Sequence, residues 1–188
     1  MEPTEADHSS HHNRFARGML RFFFIFVVIL IVLFALQLAP WGQAVFVLPF
    51  TGLIAQLSAG LLQLWDAQAM AQGKIIWDST SGFAVSIEAG CNGVEAGIIL
   101  ISAMLAYPAP WSAKLVGILL GNLTVQTLNL VRIISLFYLG QWSEAAFEWA
   151  HLYIWQALIM LDVLVVFLIW LRWIARHGSA TPQPSAVA

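Results

Sequence analysis

Apolar and polar positions divide the chain into long hydrophobic runs separated by short polar breaks. The first uncharged run, Phe22 to Ala39, follows the basic segment RFARGMLR and is closed by Pro40 and Trp41. Its length suits a helix crossing a bilayer, and no small-residue cleavage motif marks it as a removable leader. The run opened by Cys91 stops before Pro108 and Pro110, and the run from Lys114 carries Asn122, Gln126, Asn129 and Arg132 inside it. After the polar break GQWSEAAFEWAH, the last run begins near His151 and ends in the basic residues Arg172, Arg176 and His177. Membrane helices are thus predicted over 22–39, 91–107, 114–138 and 151–174.

The segment 45–66 has a different character. Phe46, Phe50, Leu53, Ile54, Leu57, Leu61, Leu64 and Trp65 fall on one helical stripe, and Gly52, Gln56, Ala59, Gln63 and Asp66 on another. Such a pattern suits an interfacial helix as well as a crossing one. Beyond it, residues 74–88 read as a β-hairpin, with strands Lys74 to Trp77 and Phe83 to Glu88 around the turn-forming DSTSG. A hairpin edge left unpaired is not tolerated in lipid, so this element is expected at a membrane surface.

Composition bears out the membrane reading: 60% of the 188 residues are hydrophobic and 10% charged, with a mean hydropathy of +0.81. The predicted fold class is therefore an all-α integral membrane protein. Its core is a four-helix transmembrane bundle, five if 45–65 spans, with an outer-surface amphipathic helix and a short β-hairpin. Residues 14–177 form a single membrane domain, and the polar stretches 1–13 and 178–188 are expected to be disordered tails. His8, His11 and His12 in the first tail are read as solvated, not as metal ligands. The net charge of −2 is weak and its acidic residues are scattered, which gives no sign of a nucleic-acid partner. If 45–65 lies on the outer surface, Arg14, Arg17, Arg21, Lys114, Arg172 and Arg176 all fall on the cytoplasmic side, as the positive-inside bias requires. That arrangement gathers Cys91, Arg132 and His151 at the outer boundary.

Each of these residues suits a chemical role. One cysteine permits no internal disulfide. At a strand-to-helix junction, Cys91 has orphan amides and a helix N-terminus to favour a thiolate nucleophile; packing as a small hydrophobe is the alternative. Arg132 can oppose an oxyanion but cannot act as a base, and snorkelling is its bland reading. His151 has an ordinary pKa suited to proton transfer at neutral pH. Asn129 can brace the guanidinium, Glu95 can pair with Arg132, and Glu144 and Glu148 share the face of His151. Asp162 and Asn122 are expected to form a buried polar contact. No metal or other cofactor is called for. Mid-membrane polar residues also suit a transporter or assembly subunit, although no inverted repeat is evident; a haem anchor wants a second histidine in the bundle.

Three blocks, EAGCNGVEAGIILISAMLAYP, NLVRIISLFY and AHLYIWQALIM, occur in this order between Gly82 and Trp173. Together they resemble the exosortase/archaeosortase family of membrane cysteine transpeptidases, most closely the compact exosortase H type. The resemblance implies Cys91 as nucleophile, Arg132 as transition-state stabiliser and His151 as third catalytic residue. It implies substrate proteins bearing a C-terminal signal made of a short Pro-Thr-Leu and Trp-Gly motif, a hydrophobic helix and a basic tail. It also implies a multi-pass protein of the bacterial inner membrane whose site faces the exterior. Larger family members have more membrane helices, so residues 1–81 lack much that shapes recognition there.

Overall fold

The opening apolar run folds as α1, Glu5–Leu38, in a computed structural model that describes residues 5–65 and 68–178, with side chains over 17–65 and 68–177. The helix extends back to Glu5, where composition predicts a disordered tail; the stretch 179–188 lies outside the described residues. Pro40, fixed in φ and lacking an N–H, ends α1 by holding Ala39 extended at ψ 143 and starts α2, Pro40–Gly42. A π-helical turn, Gln43–Val47, leads into α3, Leu48–Leu62.

The surface element is a three-stranded antiparallel meander of β1 (Ala69–Gln72), β2 (Ile75–Asp78) and β3 (Ala84–Ser86), where the pattern predicts only two strands. Segment AMAQ escapes prediction because alanine and glutamine carry little strand preference. Its turn into β2 depends on Gly73, whose φ of +57 costs a glycine little. Asp78 builds the next turn by accepting the Thr80 amide at 2.7 Å.

α4, Val94–Ala106, begins three residues after Cys91 and not at it. Gly93 is left-handed at φ +74, so helical geometry cannot reach back to the cysteine. The remaining helices are α5 (Trp111–Trp142), α6 (Glu144–Trp149) and α7 (Trp155–Gly178), with a π-helical turn, Ala150–Ile154, between the last two.

Among the described residues, four helical stretches are long and apolar enough to cross a membrane: Arg17–Leu38, Pro40–Leu62, Trp111–Trp142 and Glu144–His177. The set differs from the predicted one. It includes Pro40–Leu62, whereas α4 has 13 residues, about 20 Å of helix. The architecture is nevertheless the all-α membrane bundle with a small sheet that the pattern predicts.

Two apolar cores hold it together. One joins Ile54, Ala55, Ala59 and Leu62 of α3 to Ile76, Ile87 and to Ile133 and Phe137 of α5. The other joins Ala96, Leu100 and Met104 of α4 to Val125 of α5 and to Ile159, Val163 and Trp170 of α7. Lys114, nearly buried, donates to the Leu105 carbonyl at 2.6 Å and so satisfies the C-terminal end of α4. Asn122 turns its amide back to the Ile118 carbonyl at 2.8 Å, so the expected contact with Asp162 is not made.

α5 and α7 approach closely at Gly117, where an added Cβ would overlap the indole of Trp170. That indole donates to the Ala113 carbonyl at 2.9 Å. Gly117→Ala is therefore expected to lose this bond and part the helices, destabilising the protein by about 2–4 kcal/mol. Thermal melting in detergent checks this, and an unchanged transition would refute it.

Candidate active site

The loop between β3 and α4 presents Cys91 and is fastened at several points. Cys91 N donates to the Glu88 carbonyl at 2.9 Å, closing a tight turn. Gly90 (φ +82) and Gly93 (φ +74) flank the residue in conformations that favour glycine. Asn92, buried, accepts the Val94 amide at 3.0 Å and donates to Thr51 of α3 at 3.1 Å. Gln126 of α5 donates to the Gly93 carbonyl at 3.1 Å. Asn92 and Thr51 are site residues that sequence reasoning missed. Only the Asn-Gly pair Asn92-Gly93, a turn-forming dipeptide, left a trace in the sequence.

Arg132 reaches this loop from α5 and is 1% exposed. Its Nη1 donates to the Gly90 carbonyl at 3.0 Å and its Nη2 lies 3.4 Å from Cys91 Sγ. The snorkelling reading is thereby excluded, because the guanidinium points into the protein and not toward an interface. Its Nε has no partner among the described residues, which leaves a spare donor.

His151 comes from the π-helical turn Ala150–Ile154, a distortion that recurs at functional sites because it re-aims one side chain. Both ring nitrogens lie 3.8 Å from Cys91 Sγ. Phe147 stacks on the imidazole with centroids 5.6 Å apart and planes 9° apart, which restricts the ring's rotation. Residues predicted 60 positions apart thus meet at one sulfur.

The supporting residues fall elsewhere. Glu95 does not pair with Arg132; it accepts a hydrogen bond from Gln37 of α1 at 3.0 Å, because the i+4 position on α4 turns it toward α1. Asn129 does not brace the guanidinium; its amide points to Gln126 at 3.5 Å, one helical turn back. Glu148 is exposed and outside the cleft, whereas Glu144 lines it. The described ion pair is Lys74 with Glu88 at 2.6 Å, on the sheet surface.

Cys91 lines a cleft of about 630 Å³. Its walls are Phe83 to Glu88 on one side and Glu144, Phe147 and His151 on the other, with Ile133, Leu136 and Gly140 of α5 between. Burial pushes the thiol above its ordinary pKa, the Arg132 charge draws it back down, and Glu95 and Glu88 push it up again. Burial prevails, so the resting group is a neutral thiol and not the standing thiolate that a helix N-terminus suggests. Alkylation of Cys91 by a small neutral reagent is therefore expected to be slow at pH 7 and to climb as pH passes the ordinary thiol range. Arg132→Gln removes the one influence that lowers the pKa, so its profile should shift to higher pH. An identical profile in the variant would refute this.

This is a membrane-embedded helical protein whose cysteine, arginine and histidine converge at the mouth of a cleft. The family model for transmembrane exosortases matches residues 14–171, and the chain belongs to that family. No curated protein and no solved structure matches it.

Proposed function

We propose that the chain is a membrane cysteine transpeptidase. It cuts a C-terminal sorting signal at the outer face of the inner membrane and passes the protein to a cell-envelope acceptor. The observation that carries this reading is Cys91 Sγ flanked by Arg132 Nη2 at 3.4 Å and by both nitrogens of His151 at 3.8 Å.

The chemistry follows from those distances. His151 takes the thiol proton as Sγ attacks the scissile carbonyl carbon, and the carbonyl oxygen becomes an oxyanion beside the guanidinium. Cys91 N and Val94 N are committed to Glu88 and Asn92, and Arg132 is the side-chain donor that lies beside Sγ for the oxyanion. Collapse breaks the C–N bond, and the departing amine takes the proton from His151. The resulting thioester passes to a hydroxyl or amine on a lipid or glycan, or to water, and the thiol is restored. The substrate class is a protein whose C-terminus carries the short motif, hydrophobic helix and basic tail of an exosortase H-type signal.

The positive-inside bias puts Lys114 at the inner boundary, and helix length then sets the level of the site. α5 has 32 residues, about 48 Å, against a hydrocarbon core of about 30 Å. With Lys114 at the inner boundary, the outer boundary falls about 20 residues on, near Arg132. α3 bonds the cysteine loop through Thr51 and packs against Ile133 and Phe137, beyond that level. We accordingly assign α3 and the sheet to the outer surface and the crossings to α1, α5, α7 and α4, whose 13 residues complete the crossing together with the loops 91–93 and 107–110 that flank them.

The test is capture of the thioester. A reporter ending in such a signal, mixed with the protein in proteoliposomes and hydroxylamine, should be released with a C-terminal hydroxamate. Mass spectrometry should find its acyl group on Cys91 when the acceptor is withheld. Cleavage with neither hydroxamate nor Cys91 adduct, or no cleavage at all, would overturn the reading.

A further inference from the structure

Among the described residues β3 is an edge strand of the sheet, and its residues line the cleft. In the order β1-β2-β3, β3 has a neighbour on one side only. Its register pairs Trp77 with Ala84, Ile76 with Val85 and Ile75 with Ser86. Asp78 N donates to the Phe83 carbonyl and Ile87 N to the Lys74 carbonyl, each at 2.9 Å, so Phe83 and Ile87 turn their main-chain groups toward β2. Antiparallel alternation gives Val85 the same direction and points the N–H and C=O of Ala84 and Ser86 outward from the free edge. A bare edge of this kind is a template for another strand. Here its residues line the same cleft as Cys91, Phe147 and His151.

We propose that the substrate segment just before the scissile bond binds as an added strand on β3, parallel to it, with Ala84 and Ser86 supplying the ladder. This rests on the transpeptidase reading above and names how that site recognises its peptide. The direction follows from two contacts. Phe83 packs on Phe137 with centroids 5.8 Å apart and lies against Gly140, while Cys91 meets Arg132, one to two turns earlier on α5. β3 therefore runs down α5 from its outer end toward the membrane. A substrate held by a membrane helix that follows its scissile bond must run the same way to bring that bond to Sγ. Strand pairing reads main chain at alternate residues, and Leu136 and Phe147 offer an apolar surface to side chains on one face.

A proline scan of the reporter tests this with the unaltered enzyme. Proline has no N–H to give, so substitutions at the four residues before the scissile bond should alternate. Positions that donate to β3 should lose about tenfold or more in kcat/KM, and intervening ones should change by less than about threefold. On the enzyme, Ser86→Pro removes an edge N–H without touching the β2 ladder. It should raise KM by about tenfold while leaving alkylation of Cys91 by iodoacetamide unchanged. Uniform tolerance, uniform loss, or wild-type KM in a folded Ser86→Pro would overturn the proposal. If Ser86→Pro fails to assemble, the reporter scan decides alone. Failure of the underlying reading looks different: the unsubstituted reporter would stay intact, or Cys91→Ala would still cut it.

Discussion

Cys91→Ala is expected to reduce reporter cleavage by at least about a thousandfold while the protein still inserts and melts as wild type does. The loss is large because alanine offers no nucleophile, and Arg132 and His151 without one can only polarise the carbonyl and hold a proton. The fold should be spared for a reason that lies in the packing. Cys91 is only partly buried and fronts the open cleft, so deleting Sγ leaves no enclosed cavity and costs less than about 1 kcal/mol. The loop keeps its fastenings, since Gly90 still accepts from Arg132 and Asn92 still bonds Thr51. Cys91→Ser separates geometry from nucleophilicity: it fills the same volume with a far less acidic group and should fall nearly as far. Reporter shortening on gels, set against thermal melts, reads both quantities. Processing that persists in Cys91→Ala would reject the thiol as the attacking group.

The part of this architecture legible in the sequence is the part written in apolar periodicity and charge bias. The long runs became helices, and the positive-inside argument brought Cys91, Arg132 and His151 to one end of the bundle before any contact was known. The resemblance of the three motif blocks led to the family whose model matches residues 14–171. What stayed hidden depends on pairings between distant segments. Asn92 with Thr51 joins residues 41 positions apart and Gln126 with Gly93 joins residues 33 apart. Neither follows from the periodicity of one helix.

Local geometry misled in the same way. Spacing alone put Glu95 near Arg132 and Asn129 under the guanidinium, yet each bonds a glutamine instead, Glu95 through one oxygen to Gln37 and Asn129 through its amide nitrogen to Gln126. Glu144 and Glu148 were equivalent by spacing, but Glu144 lines the cleft and Glu148 does not. β1 carried no strand signature, and the π-helical turn that aims His151 has none to carry. The thiol's protonation also ran against the local argument. A helix N-terminus favours a thiolate, but α4 starts only at Val94, and burial outweighs what the Arg132 charge contributes.

Arg132→Lys should lower cleavage by about a hundredfold to a thousandfold with the protein still assembled, and the choice of lysine makes the test discriminating. A snorkelling or merely charge-balancing arginine is replaced by lysine with little effect, because both carry a cation on a long stem. The geometry here asks for more than charge. One planar group holds the Gly90 carbonyl through Nη1 at 3.0 Å and meets Sγ through Nη2 at 3.4 Å, with Nε left over. An ammonium is a single point and can serve one of these partners, so either the loop or the developing oxyanion loses its donor. Lysine still carries a charge that favours the thiolate, so alkylation of Cys91 should change less than cleavage does. Arg132→Gln, lacking the charge, should slow both. A lysine variant that cleaves at the wild-type rate would remove Arg132 from the chemistry and leave it as a buried structural cation.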